Sequence, residues 1–78
     1  MKLGKAIAQR IEFLCDKNNI TLNKLATISG ITQSTLHNII MGNSENPKIK
    51  TLFMIAQAFN MSIIEFLDDE TILNTFVE

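Results

Sequence analysis

The stretch from Thr21 to Gly42, TLNKLATISGITQSTLHNIIMG, constrains the fold of this chain more than any other stretch. Apolar residues recur at helical spacing on both sides of Gly30, which predicts two short helices, residues 22–28 and 33–40, joined by a tight turn. The glycine supplies the positive φ of that turn without a steric cost. The rest of the chain must therefore pack around this pair of helices.

The second helix of the pair is predicted to have an apolar back, formed by Leu36, Ile39 and Ile40, and a polar front. The front carries side chains that form hydrogen bonds and bear no charge at neutral pH: Gln33, Ser34, Thr35, His37 and Asn38. A helix face that serves solubility alone usually carries Lys and Glu. Gln and Asn can each form two hydrogen bonds to adenine in the DNA major groove. This front therefore suits base recognition, and an ordinary hydrated helix face is the alternative.

An ordered set of residues extends this pattern along the chain: Thr21, Leu25-Ala26, Gly30-Ile31-Thr32-Gln33-Ser34-Thr35-Leu36, Gly42 and Pro47. The set resembles the helix-turn-helix of the phage lambda repressor/Cro class, also called the XRE family. The downstream run KTLFMIAQAFNMSIIEFL is similar to the fourth and fifth helices of that family, so the resemblance covers residues 4–69. It implies an all-α fold, a compact five-helix lambda-repressor-like domain with the helix-turn-helix at its second and third helices.

Periodicity and capping residues predict the remaining helices. Residues 3–17 form the first helix, with an inner stripe of Leu3, Ile7, Ile11 and Leu14. Residues 48–59 form the fourth, with inward or partly inward positions at Ile49, Leu52, Phe53, Ile55, Ala56 and Phe59. Ser62 and Glu65 have the spacing of a capping box and begin the fifth. Residues 71–77 form a short sixth helix, which must dock on its own chain or on a partner because an isolated helix of this length does not form.

We therefore expect a DNA-binding domain over residues 1–69 and a C-terminal extension, residues 70–78, that contributes to a dimer interface. The length of 78 residues suits one domain. A charged fraction of 19% and an apolar fraction of 46% indicate a compact globule. No apolar run reaches the roughly 18 residues of a transmembrane span, and no signal-peptide block is present, so a cytoplasmic protein without a membrane partner is expected.

The residue content argues against several kinds of site. One Cys and one His cannot make a structural zinc site, so no metal is expected. The sequence shows no glycine-rich phosphate loop, no paired carboxylates in a plausible cleft and no nucleophile–base set. We therefore expect no enzyme activity, no cofactor and no small-molecule ligand.

Charge is segregated along the chain although the net charge is only −1. Residues 1–50 hold all seven basic residues and three acidic ones, a net charge of +4. Residues 51–78 hold five acidic residues and no basic one, a net charge of −5. The positive part contains the helix-turn-helix, which favours DNA, but its small excess predicts few phosphate contacts.

The resemblance implies roles for individual residues. The expected base contacts are Gln33, Ser34, His37 and Asn38. The expected contacts to the DNA backbone are Thr21, Thr32, Thr35, Asn43, Asn46 and Lys48. Two residues depart from the family pattern: Leu22 cannot bind a phosphate where the family often has Gln, and Glu45 would repel the backbone.

A third departure concerns the core. A buried Arg–Glu ion pair found in many family members maps to Cys15 and Ile40 here. Replacing both partners by apolar residues is often neutral or stabilising. We therefore expect Cys15 to be a small core residue packed near Ile40, with a redox-sensing cysteine as the alternative.

The expected function is that of a sequence-specific regulator of transcription that binds double-stranded DNA and inserts its third helix into the major groove. Repression is the expected role and a homodimer the expected state, since related proteins commonly dimerise through the fifth helix and the segment C-terminal to it. The alternative is a helix-turn-helix scaffold that acts mainly as a protein-interaction module or an antitoxin-like partner. The feature that discriminates the two is whether Lys5, Lys24, Lys48 and Lys50 flank the third helix.

Overall fold

Six helices make up the part of the chain that the computed structural model describes, residues 1–42 and 46–75. They are α1 (Leu3–Asn18), α2 (Leu22–Ser29), α3 (Gln33–Ile40), α4 (Ile49–Ala58), α5 (Ile63–Leu67) and α6 (Glu70–Asn74). The all-α fold is thereby confirmed. The predicted bounds of α3 agree with the structure, α1 and α2 each end one residue later than predicted, and α4 is one residue shorter than predicted at each end. The sixth helix begins one residue earlier than predicted, and the last two residues of its predicted span lie outside the described residues.

Local side chains set the beginnings and ends of these helices. The hydroxyl groups of Thr21 and Thr32 each accept a hydrogen bond from the backbone N–H three residues later, at 3.0 and 3.1 Å. Ser62 and Glu65 form the predicted capping box, with reciprocal side chain–backbone bonds of 3.0 and 3.1 Å. Gly30 ends α2 with a φ of +76°, as the turn requires. Its nearest neighbour on the side-chain side would be Met54 of α4, so the turn lies directly against that helix.

Apolar side chains from all six helices meet in one core. The largest fully buried ones are Ile7, Ile11, Leu25, Ile55, Phe66 and Ile72. Helix α1 packs against α3 and α6, α2 packs against α3 and α4, and α4 packs against α5. The α2–α3 pair is therefore supported from behind by α1 and α4, and its other side is left open.

Helix α4 buries fewer side chains than its sequence predicted. Leu52, Ile55 and Ala56 lie in the core, but Ile49 is 57% exposed and Phe53 is 46% exposed. The expectation of inward or partly inward positions was wrong for these two. Among the described residues, α4 packs mainly against α2 and α5, and Ile49 and Phe53 stay exposed.

Cys15 is buried, so its prediction as a small core residue is confirmed. Ile40 is partly buried and packs against the same core from α3. Burial, followed by the negative charges of Asp16 and Glu12, raises the pKa of the Cys15 thiol. A thiol with a raised pKa stays protonated and unreactive at neutral pH, which argues against the redox-sensing alternative.

Arg10 connects α1 to the end of α5 and the start of α6. Its Nε donates to the carbonyl oxygen of Phe66 at 2.9 Å, and its Nη2 donates to the carbonyl oxygen of Glu65 at 3.0 Å. Its Nη1 lies 3.8 Å from a carboxylate oxygen of Asp69. The other carboxylate oxygen of Asp69 accepts the backbone N–H of Ile72 at 3.1 Å and so caps α6. We call Arg10, Asp69 and these two carbonyl groups the Arg10 corner.

Candidate nucleic-acid interface

Helix α3 turns its polar side outward, as the sequence predicted. Leu36 and Ile39 are 2% and 4% exposed, whereas the polar residues of α3 are all exposed. We call the exposed side chains of Gln33, Ser34, His37 and Asn38 the α3 face. Within residues 1–42 and 46–75, none of these four side chains forms a hydrogen bond with the rest of the chain. Their donors and acceptors are therefore available to an external partner.

Threonine hydroxyl groups cap the first turns of α3 and α2. The Thr32 hydroxyl accepts from the Thr35 backbone N–H and donates to the Thr35 hydroxyl at 2.9 Å. The Thr21 hydroxyl accepts from the Lys24 backbone N–H at 3.0 Å. Since a hydroxyl has one donor and two acceptor positions, Thr21 and Thr35 keep a donor for a phosphate, whereas Thr32 has already used its own.

A cleft of about 310 Å³ lies between the first turns of α2 and α3. We call it the α2–α3 cleft. Its lining combines the polar side chains of Asn23, Gln33, Ser34 and His37 with the apolar side chains of Leu22, Ala26 and Leu36. Three of the four predicted base contacts thus share one cleft. Sequence reasoning missed Asn23 and treated Leu22 only as a departure. Their position directly after Thr21, at the exposed start of α2, was the available signal.

A second cleft, of about 580 Å³, lies between α3 and the start of α4. It brings together four of the predicted site residues: Thr35, Asn38, Asn46 and Lys48. Lys48 immediately precedes α4, and its side chain is exposed. The predicted contact Asn43 and the departure Glu45 lie outside the described residues.

Two lysine side chains line grooves beside the middle and the end of α3. Lys48 lines the cleft between α3 and α4, and Lys5 lines a groove with Ile40, Met41 and Gly42 at the end of α3. Lys24 and Lys50 are exposed in the first turns of α2 and α4. Cationic groups beside a polar helix face suit the phosphates that border a DNA groove.

The described part of the chain offers neither a metal site nor a membrane span. Residues 1–42 and 46–75 contain no group of three or more His, Cys, Asp or Glu placed to hold a metal ion. None of the six described helices has the length and apolar character needed to cross a bilayer.

Comparison with known proteins links this geometry to a family. The profile of the helix-turn-helix family HTH_3 matches residues 11–66. The crystal structure of prophage Lp1 protein 11 superposes with a TM-score of 0.79 and 28% sequence identity, over 86% of this chain and 88% of that protein. An HTH_3 family transcriptional regulator from Vibrio cholerae superposes with a TM-score of 0.79 and 27% identity, over 91% of this chain but only 39% of the regulator. No curated protein matches the chain significantly in sequence.

Proposed function

The chain belongs to the helix-turn-helix family HTH_3, and from that membership we propose that it is a sequence-specific regulator of transcription that binds double-stranded DNA. The observation that carries the proposal is the α3 face, with four exposed polar side chains that have no partner in the described chain. In the proposed complex α3 enters the major groove and α2 lies across the DNA backbone. Gln33, Ser34, His37 and Asn38 then contact base edges.

The proposed backbone contacts surround this face. Lys48 and Asn46, at the cleft between α3 and α4, bind phosphates on one side of the groove. Thr21 and Thr35 each donate a hydroxyl hydrogen to phosphate, and Thr32 acts through the helix start that it caps. Asn43 completes the proposed set and lies outside the described residues. The placement of the lysines near α3 supports DNA over a protein-interaction or antitoxin-like role.

Repression is the proposed mode of regulation, because a protein that occupies a duplex site excludes other proteins from that site. The proposed activity is binding and not catalysis. The two solved relatives are a prophage protein and a bacterial protein, and bacterial DNA lies in the cytoplasm, which is therefore the proposed location.

We propose a homodimer as the active form, with residues 1–69 as the DNA-binding domain and residues 70–78 as part of the dimer interface. Ile64 of α5 is 77% exposed and Leu73 of α6 is 50% exposed, so both helices present apolar surface that a second copy would cover. A two-fold axis would place the two α3 helices about 34 Å apart, one turn of DNA. The operator would then be a palindrome with half-sites at that spacing.

The test is selection from a random pool of duplex DNA at low salt, with sequencing of the retained DNA. We expect an enriched palindrome with half-sites one turn apart. Gln33→Ala and Asn38→Ala should each weaken binding to it by about 5- to 150-fold, the value of a lost bidentate base contact. Gln57→Ala, which removes an exposed amide of α4, is the matched control and should bind as the wild type does.

Two results would contradict the proposal in different ways. Retention without any preferred sequence would leave backbone contacts alone and remove the base-reading roles of the α3 face. No retention even at low salt would exclude DNA as the partner and favour the protein-interaction alternative.

A further inference from the structure

We infer that Leu22 reads the C5-methyl group of a thymine in the operator, across the α2–α3 cleft from Gln33. This inference rests on the proposed DNA-binding function. It adds a residue of α2 to the specificity that the α3 face provides.

The α2–α3 cleft has one apolar surface that an external group can reach. Of its three apolar lining residues, Ala26 and Leu36 are only 3% and 2% exposed, because they belong to the core. Leu22 is 36% exposed. It is the first residue of α2, directly after the Thr21 cap that fixes the helix start. The exposed apolar surface of the cleft is therefore mainly the Leu22 side chain.

The opposite wall of the cleft is polar and belongs to the base-reading side of α3. Gln33 stands in the first turn of α3, and Ser34 and His37 line the same wall. The α2 side of the cleft carries the Asn23 amide as well as Leu22. A group that fills the cleft must therefore offer hydrogen-bonding atoms toward α3 and hydrocarbon toward Leu22.

An A·T pair offers both on its major-groove edge. Adenine presents the N7 acceptor and the N6 donor that a Gln amide binds with two hydrogen bonds, and thymine presents a methyl group at C5. A G·C pair has no methyl group on that edge. The Leu22 side chain has no donor that could bind a phosphate. The chemistry of the cleft thus matches a thymine methyl beside an adenine, in the same base pair or in the next one.

The experiment uses the operator that the pool selection enriches. The random pool is unmethylated, so thymine is the source of every C5-methyl group in it. Each thymine is then replaced in turn by deoxyuridine, which removes only the methyl group. At one thymine of each half-site, the wild type should lose about fourfold in affinity, the effect of burying one methyl group.

Variants of Leu22 test whether that loss of affinity arises from its side chain. Leu22→Ala and Leu22→Gln should bind the thymine and deoxyuridine forms of this position equally, since neither packs against the methyl group. Ile28→Ala, which shortens another exposed apolar side chain of α2 outside the cleft, should keep the wild-type ratio. Thermal unfolding measured by circular dichroism shows that each variant is folded.

Each result bears on the inference. An enriched half-site without thymine, an unchanged affinity after every replacement, or an unchanged ratio in both Leu22 variants would overturn it while leaving the proposed function intact. Failure of the wild type to bind any DNA would overturn the proposed function and the inference together.

Discussion

The α3 face and the Arg10 corner are both polar, but they differ in whether their polar groups have partners within the chain. In the Arg10 corner, one guanidinium group has two carbonyl partners and one carboxylate partner within the chain. On the α3 face, four side chains have no hydrogen-bond partner in the described part of the chain. Polar groups that are partnered internally and away from water are costly to remove. Polar groups that water satisfies are cheap to change and free to bind.

The comparison suggests that stability and recognition are separated in this small domain. The core involves all six helices. Substitutions in the Arg10 corner should lower the free energy of unfolding and leave the binding specificity unchanged. Substitutions on the α3 face should change the binding specificity and leave the free energy of unfolding nearly unchanged.

The largest effect is expected for Ile72→Ala, next to the Arg10 corner. Ile72 is 1% exposed and is the buried residue of α6. The free energy of unfolding should fall by about 2–4 kcal/mol, the usual cost of such a truncation in a core. Urea unfolding monitored by circular dichroism measures it. Ile28→Ala, which truncates an exposed isoleucine of α2 outside the proposed dimer interface, is the control with a smaller expected loss. Equal losses in the two variants would show that α6 does not dock on its own chain in solution.

The second-largest effect on stability is expected for Arg10→Met, which keeps an unbranched apolar stem and removes the guanidinium group. The Phe66 carbonyl loses its side-chain partner, whereas the Glu65 carbonyl keeps the backbone N–H of Asp68 at 3.3 Å, so the free energy of unfolding should fall by about 1–2 kcal/mol. The same unfolding experiment measures this loss. Lys17→Met, at an exposed position of α1, controls for the loss of a positive charge. The DNA sequence preferred by the folded variant should stay the same. A change in the preferred DNA sequence without a change in stability would contradict the separation of stability from recognition.

The smallest effect on stability is expected for Lys48→Ala, beside the α3 face. Lys48 is exposed, so the free energy of unfolding should change by less than about 0.5 kcal/mol. Binding should weaken on all sequences alike, and the slope of log affinity against log salt should become shallower by about one unit per protomer. Titrations at several salt concentrations measure the slope, with Lys17→Ala as the control. An unchanged slope would remove Lys48 from the phosphate contacts.

The sequence predicted the parts of the fold that depend on neighbours along the chain. The bounds of α3, the Thr21 and Thr32 caps and the Ser62–Glu65 capping box involve residues three or four positions apart, and the structure shows all of them. The outward position of the predicted base contacts also agrees with helical periodicity. Their contacts with DNA remain predictions.

The features that the sequence did not predict depend on distant parts of the chain. Periodicity marks Arg10 only as one polar residue of α1, and its partners lie 55 and 56 residues away. The exposure of Phe53 depends on which helices cover α4, and no local pattern shows that.

The long separation between Arg10 and Phe66 also has a consequence for synthesis of the protein. A ribosome adds about 5–20 residues per second. It therefore needs roughly 3–11 seconds to add the 56 residues that separate the guanidinium group from its carbonyl partner. Synthesis reaches Ile40, the end of α3, about halfway through that interval, and from then on the α2–α3 pair lacks the closing contact between α1 and α5. The nascent chain should therefore remain sensitive to proteases until α5 and α6 have left the ribosome, although α2 and α3 are made before them.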